Sequence, residues 1–133
     1  MALTLATYRD ILSQTQAQLD QADLCFGHGY ESAHDEAVAL VLGAAGLPIT
    51  TGQEILDQPV SQTTLDMLER FVQRRVEARE PVAYIIGHAC LGPLSFIADT
   101  RALIPRSPLM SVIESGFGPW WQGDDPRVVV DVC

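Results

Sequence analysis

Apolar residues in the first part of the chain repeat with the period of a helix. Tyr8, Ile11, Leu12 and Leu19 recur at intervals of three, four and seven, with Gln and Asp between them, which predicts an amphipathic helix over 5–24. Gly27-His28-Gly29 breaks that pattern. Ser32 followed three residues later by Asp35 has the form of a capping signal, and opens a second helix through Ala37, Leu40, Val41 and Ala44 that Gly46 and Pro48 end. After a short turn over 53–57, Ser61 caps a long third helix whose Leu65, Leu68, Phe71, Val72 and Val76 make one apolar stripe. Pro81 either closes this helix or starts a new turn.

Behind Pro81 the pattern changes. Gly87, Gly92 and Pro93 punctuate two short runs, 88–91 and 94–98, which read as two strands around a turn, a β-hairpin linker. Ile104-Pro105-Arg106-Ser107-Pro108 stiffens the backbone, because each proline fixes its own angle and restricts the residue before it. One short helix fits over 109–115, ended by Gly116, Gly118 and Pro119, and 122–126 is a polar turn. The final run from Arg127 to Cys133, with Val128-Val129-Val130 at its centre, is of the β-branched kind buried in parallel sheets. Left at a sheet edge such a run is an association hazard, so the chain reads as cut inside a domain, with possible self-association of the truncated piece.

Composition adds a compartment and a charge. The 133 residues are 47% hydrophobic, enough for a buried core, with no apolar stretch long enough to span a membrane and no signal-peptide pattern. Three dispersed cysteines, Cys25, Cys90 and Cys133, without C-x-x-C spacing fit reduced thiols and a cytoplasmic setting. Seventeen acidic against eight basic residues give a net charge of -9, which repels nucleic acid and either suits a basic protein partner or serves only to keep the protein in solution.

Few residues suggest chemistry on their own. Cys25 and His28 have C-x-x-H spacing, yet no second ligand pair lies at a usual distance for zinc. His34, Asp35 and Glu36 form an acid-base cluster by composition, but carboxylates in a first turn are expected to complement the helix dipole. Cys90, in a hairpin of apolar residues without a partner pattern, reads as a packed, inert thiol. Trp120 and Trp121, adjacent on an extended segment, face opposite ways and read as packing against a neighbouring domain. No Ser-His-Asp arrangement, P-loop or glycine-rich cradle is present.

Four segments, in order and at matching spacing, resemble the glutamine methyltransferases of the HemK/PrmB type: Phe26-Gly27-His28-Gly29, His34-Asp35-Glu36-Ala37, Arg79-Glu80-Pro81-Val82-Ala83-Tyr84-Ile85, and Leu103-Ile104-Pro105-Arg106-Ser107-Pro108. The resemblance covers nearly the whole chain. Release-factor enzymes usually continue Pro-Glu-Thr-Glu after the Pro-Arg pair, whereas Ser107-Pro108 follows here, which favours the branch acting on a ribosomal protein of the large subunit. The resemblance implies a helical substrate-recognition domain (1–86), a β-hairpin linker (87–105) and the beginning of a class I, Rossmann-like α/β domain that binds S-adenosyl-L-methionine (106–133).

In that frame Val128 to Val132 is the first strand of the catalytic sheet. Asp131 matches the acidic residue that opens the cofactor motif, and Cys133 the position before an expected Thr-Gly-Ser-Gly. Arg106 is a candidate contact near the cofactor pocket, or a structural partner of a carboxylate. Neither that glycine-rich turn nor the family's Asn-Pro-Pro-Tyr occurs in the chain, so catalytic residues are absent and the piece alone is expected to be inactive, without cofactor affinity. Two other readings stand beside this one: a release-factor enzyme, or a non-enzymatic helical interaction module.

Overall fold

In the computed structural model, described for residues 6–27, 29–118, 120–124, 127–130 and 132, three long helices pack around one another and a hairpin extends from them. Helix α1 (Tyr8–Gln21) starts at a complete capping box. The Thr7 hydroxyl accepts from the Asp10 backbone N–H while the Asp10 carboxylate accepts from the Thr7 N–H. Helix α2 (Ala33–Ala45) is capped by Ser32, whose Oγ accepts from Asp35 N–H, and ends at Gly46 in the left-handed region, φ 67°. Helix α3 (Gln62–Val76) is capped by Ser61. Between α2 and α3 a single 3-10 turn (Gln53–Ile55) leads into residues 56–60, which hydrogen-bond back onto the start of α1 through Arg9 N–H to Leu56 O and Val60 N–H to Ala6 O.

The core sits where α2 is gripped from both sides. Ile11 and Leu19 of α1, Ala37, Leu40 and Val41 of α2, and Leu68 of α3 are buried together, and the small Ala33, Ala37 and Ala39 let the helices approach closely. At Gly43 α2 leaves room for Ile86, since a Cβ there would lie 2.7 Å from Ile86 Cγ2.

Pro81 starts a helix rather than merely closing α3. It is the N-cap of the short α4 (Val82–Ile86), whose Val82, Ala83 and Ile85 are buried. Gly87, φ 80°, ends α4 and turns the chain into an antiparallel pair, β1 (His88–Leu91) and β2 (Leu94–Ile97), in the register His88↔Ile97 through Leu91↔Leu94. A second, smaller apolar cluster of Ala83, Ala89, Ala98 and Ile104 joins α4, the hairpin and the segment after it. Helix α5 (Met110–Glu114) follows.

The expectation of a strand over the valine-rich end is not met. Val128, Val129, Val130 and Val132 carry no strand pairing and are 70–89% exposed, because among the described residues nothing offers them a neighbouring strand. The helical domain with its hairpin therefore stands, and the α/β start has no counterpart in the described structure. No described helix is long and apolar enough to cross a membrane.

Candidate functional site

Arg75 of α3 and Arg79 just after it fasten the loop between α1 and α2. Arg75 lies seven residues after Leu68, and its guanidinium points into the core instead of solvent. There it makes a two-pronged ion pair with Glu36 of α2, Nε to Oε2 at 2.6 Å and Nη2 to Oε1 at 2.9 Å, with Glu36 only 3% and Arg75 only 5% exposed. Arg75 Nη2 also donates to Cys25 O at 3.0 Å, and Arg79 Nη1 donates to Asp23 O at 2.8 Å. The loop carrying the Phe-Gly-His-Gly segment is thus tied at two backbone carbonyls, to α3 through Arg75 and to the segment after α3 through Arg79. Arg74 holds the next junction, donating to both oxygens of Glu80 and to Ile85 O. The Glu80 hydrogen bonds, outweighing burial, keep the Arg74 guanidinium above its ordinary range.

These ties shape a cleft of about 410 Å³ where three distant stretches meet: Gly29 and Tyr30 from that loop, Ile49 and Thr50 from the α2–α3 connection, and Ala89, Cys90 and Ile104 from the hairpin and the strap behind it. The strap is held by Ile104 in the second cluster and by the Tyr84 hydroxyl, which donates to Ala102 O at 2.7 Å. None of the lining residues bears a formal charge at neutral pH. Burial first, and then the neighbouring Cys90 and Glu36, push the Tyr30 phenol above its ordinary value, so it stays a neutral hydroxyl. Tyr30, Thr50 and Cys90 give this apolar slot a few polar groups, a chemistry suited to an uncharged polar side chain or a stretch of peptide.

The residues singled out from sequence fall unevenly around the cleft. Arg106, two residues beyond Ile104, is exposed and does not line it. Asp131, Cys133 and His28 lie outside the described residues. No residue beyond Ile104 lines this cleft.

Several expectations need correction. Cys90 is exposed rather than packed, since it lies on the hairpin face opposite Ala89. Glu36 complements a buried guanidinium rather than mainly the helix dipole, while Asp35 does take the helix-start role, accepting from the Ser32 hydroxyl at 2.7 Å. His34 has Nδ1 3.0 Å from Gln16 Oε1 on the surface. Trp120 and Trp121 are not on an extended segment: both amides donate to Phe117 O in a turn after α5, and both rings are exposed. Arg75 was not legible as a site residue, although a signal existed. Glu36 and Arg75 each occupy a position on an apolar stripe, beside Ala33, Ala37 and Leu40 in one helix and Leu68 in the other, and an acid and a base so placed are candidates to pair.

Fold and site together define a small helical domain with a hairpin extension and an uncharged cleft between them. The chain belongs to the PrmC N-terminal domain family, whose model matches residues 10–87. It is similar to the ribosomal protein uL3 glutamine methyltransferase of Xylella fastidiosa, 40% identical over 129 residues that are 97% of this chain and 41% of that protein. Proteins of the same name from Bordetella pertussis (36% identical, 97% of this chain, 44% of theirs) and Neisseria gonorrhoeae (33% identical, 99% and 44%) also match. The chain thus spans less than half the length of these relatives. No solved structure matches it.

Proposed function

We propose that this chain is the N-terminal, substrate-facing part of an S-adenosyl-L-methionine-dependent methyltransferase that modifies the side-chain amide of a glutamine in ribosomal protein uL3, in the cytoplasm. One observation carries the reading: segments far apart in sequence, Gly29-Tyr30, the hairpin and Ile104, converge on a single uncharged cleft. In this reading 1–86 is the recognition domain, 87–105 the linker, and 106–133 the lead into the catalytic domain, with Arg106, Asp131 and Cys133 approaching the cofactor there. The bound cofactor supplies an electrophilic methyl group.

What this chain contributes is placement. An amide nitrogen is a poor nucleophile, so methyl transfer to it, in which an N–C bond would form as the sulfonium S–C bond breaks and one amide proton is lost to solvent, depends on holding that nitrogen in line. A slot with neutral donors and acceptors, Tyr30 and Thr50 among them, binds the chain around a glutamine without burying an unpaired charge. The net charge of -9 favours encounter with a basic ribosomal protein.

The test grafts this chain in place of the matching N-terminal portion of the Xylella fastidiosa relative and offers the chimera labelled cofactor with uL3 or with a peptide-release factor. Methylation of uL3 alone supports the reading. Methylation of the release factor instead makes that enzyme class the answer. Loss of all transfer by a folded chimera, with the parent enzyme active, rules out a shared substrate-facing role.

A further inference from the structure

A second concave surface lies between α1 and α3 and shares no lining residue with the cleft. Two adjoining depressions, about 540 and 190 Å³, have Gln18, Glu69 and Val72 in common and so form one continuous groove along the two helices. Its floor is apolar, built from Ile11, Leu65, Leu68, Val72 and Val76. Its walls are polar in a regular way. Gln14, Gln18 and Gln21 follow one another on the α1 side, and Glu69, Gln73 and Glu77 stand four residues apart on the α3 side. No basic side chain lines the groove.

Each wall says something about an occupant. The Gln73 amide donates to Glu77 Oε2 at 3.0 Å, and Glu69 and Glu77 are both exposed with no cation in the lining to neutralise them. The glutamines of α1 are neutral groups that both donate and accept. Such amides match the free N–H and C=O groups of an extended chain, whereas a helix has already satisfied its own. Spacing gives the register: eight residues of helix separate Glu69 from Glu77 by about 12 Å, close to the ~13 Å between residues four apart in an extended strand, which point the same way.

We propose that the α1–α3 groove docks an extended peptide segment carrying lysine or arginine at two positions four residues apart, the cations meeting Glu69 and Glu77 and an apolar residue between them resting on Val72 and Val76. The proposal uses neither the cleft nor any cofactor, and so it stands whether or not the methyl-transfer reading does.

The test is fluorescence anisotropy with the 133-residue chain at physiological ionic strength. The probe is a labelled peptide of about nine residues, with two lysines four apart among valine and threonine, against a control of identical composition with the lysines adjacent. The matched peptide is expected to bind about tenfold more tightly than the control. E69K/E77K should abolish that preference, while E31K/E114K, which changes the net charge equally at exposed positions outside the groove, should retain it. Circular dichroism checks that each variant is folded, and E69Q/E77Q replaces the reversal if it is not. Equal affinity for both peptides, equal losses in both charge variants, or no binding would each overturn the proposal.

Discussion

The residue with most at stake is Arg75, because it joins α2, α3 and the loop after α1 at one buried guanidinium. Removing one partner of such a pair leaves an uncompensated charge in the core, so Arg75→Met is expected to cost about 3–5 kcal/mol. The double change Glu36→Leu/Arg75→Met removes both charges and should cost clearly less than the sum of the two single changes. Urea denaturation of the three variants measures this, and additive losses would refute the coupling. At the surface, Asp99 accepts from Arg101 Nε, Nη2 and backbone N–H, and these hydrogen bonds, side chain first, lower its carboxyl from 3.8 to about 2. The depressed value means the contact stabilises the folded chain above about pH 4 and is lost as pH falls toward about 2. A carboxyl-detected NMR titration should find the Asp99 midpoint near 2, and Arg101→Ala, which removes the side-chain donors and keeps the backbone N–H, should raise it part of the way toward the ordinary value.

At the scale of elements, packing between α2 and α4 hinges on one missing side chain. Alanine at Gly43 improves helix propensity by about 1 kcal/mol, but its Cβ would meet the stiff, β-branched Ile86 at 2.7 Å. Gly43→Ala is therefore expected to destabilise the domain by about 1–3 kcal/mol in thermal or urea unfolding. In the Ile86→Ala background the same change should cost less, and a cycle with no coupling would contradict the close approach. Most elements were legible in sequence because their signals are local. Ser32 and Ser61 cap, Gly46 and Gly87 terminate with positive φ, and Gly92-Pro93 turns the hairpin, whereas the periodicity carries the first helix back to residue 5 and does not mark the Thr7 cap that starts α1. Helix α4 was only half legible, since its five residues show no periodicity of their own and its burial depends on α2 and the hairpin. Val128–Val130 shows the converse. Strand propensity is a preference for a pleated, half-buried surface, and without a neighbour it yields exposed chain.

At the scale of the whole molecule, the cleft could not be read from any one stretch of sequence. The segments that suggested a family were visible, but that Tyr30, Cys90 and Ile104 face one space depends on Arg75 fixing the loop and Tyr84 fixing the strap. The exposed valines and tryptophans at the end leave an apolar surface that the isolated chain is expected to bury against copies of itself. Sedimentation should show concentration-dependent association that Val129→Lys weakens, and a monomer at all concentrations would contradict it. The substrate-facing role of the cleft is tested most directly by placing a photo-crosslinker on Cys90, with Cys25 and Cys133 changed to serine, in the chimera with the Xylella fastidiosa relative. Mass spectrometry of the product with uL3 should locate the crosslink in the segment bearing the methylated glutamine. A crosslink confined to other parts of uL3, in a chimera that still methylates it, would show that the cleft faces away from the substrate.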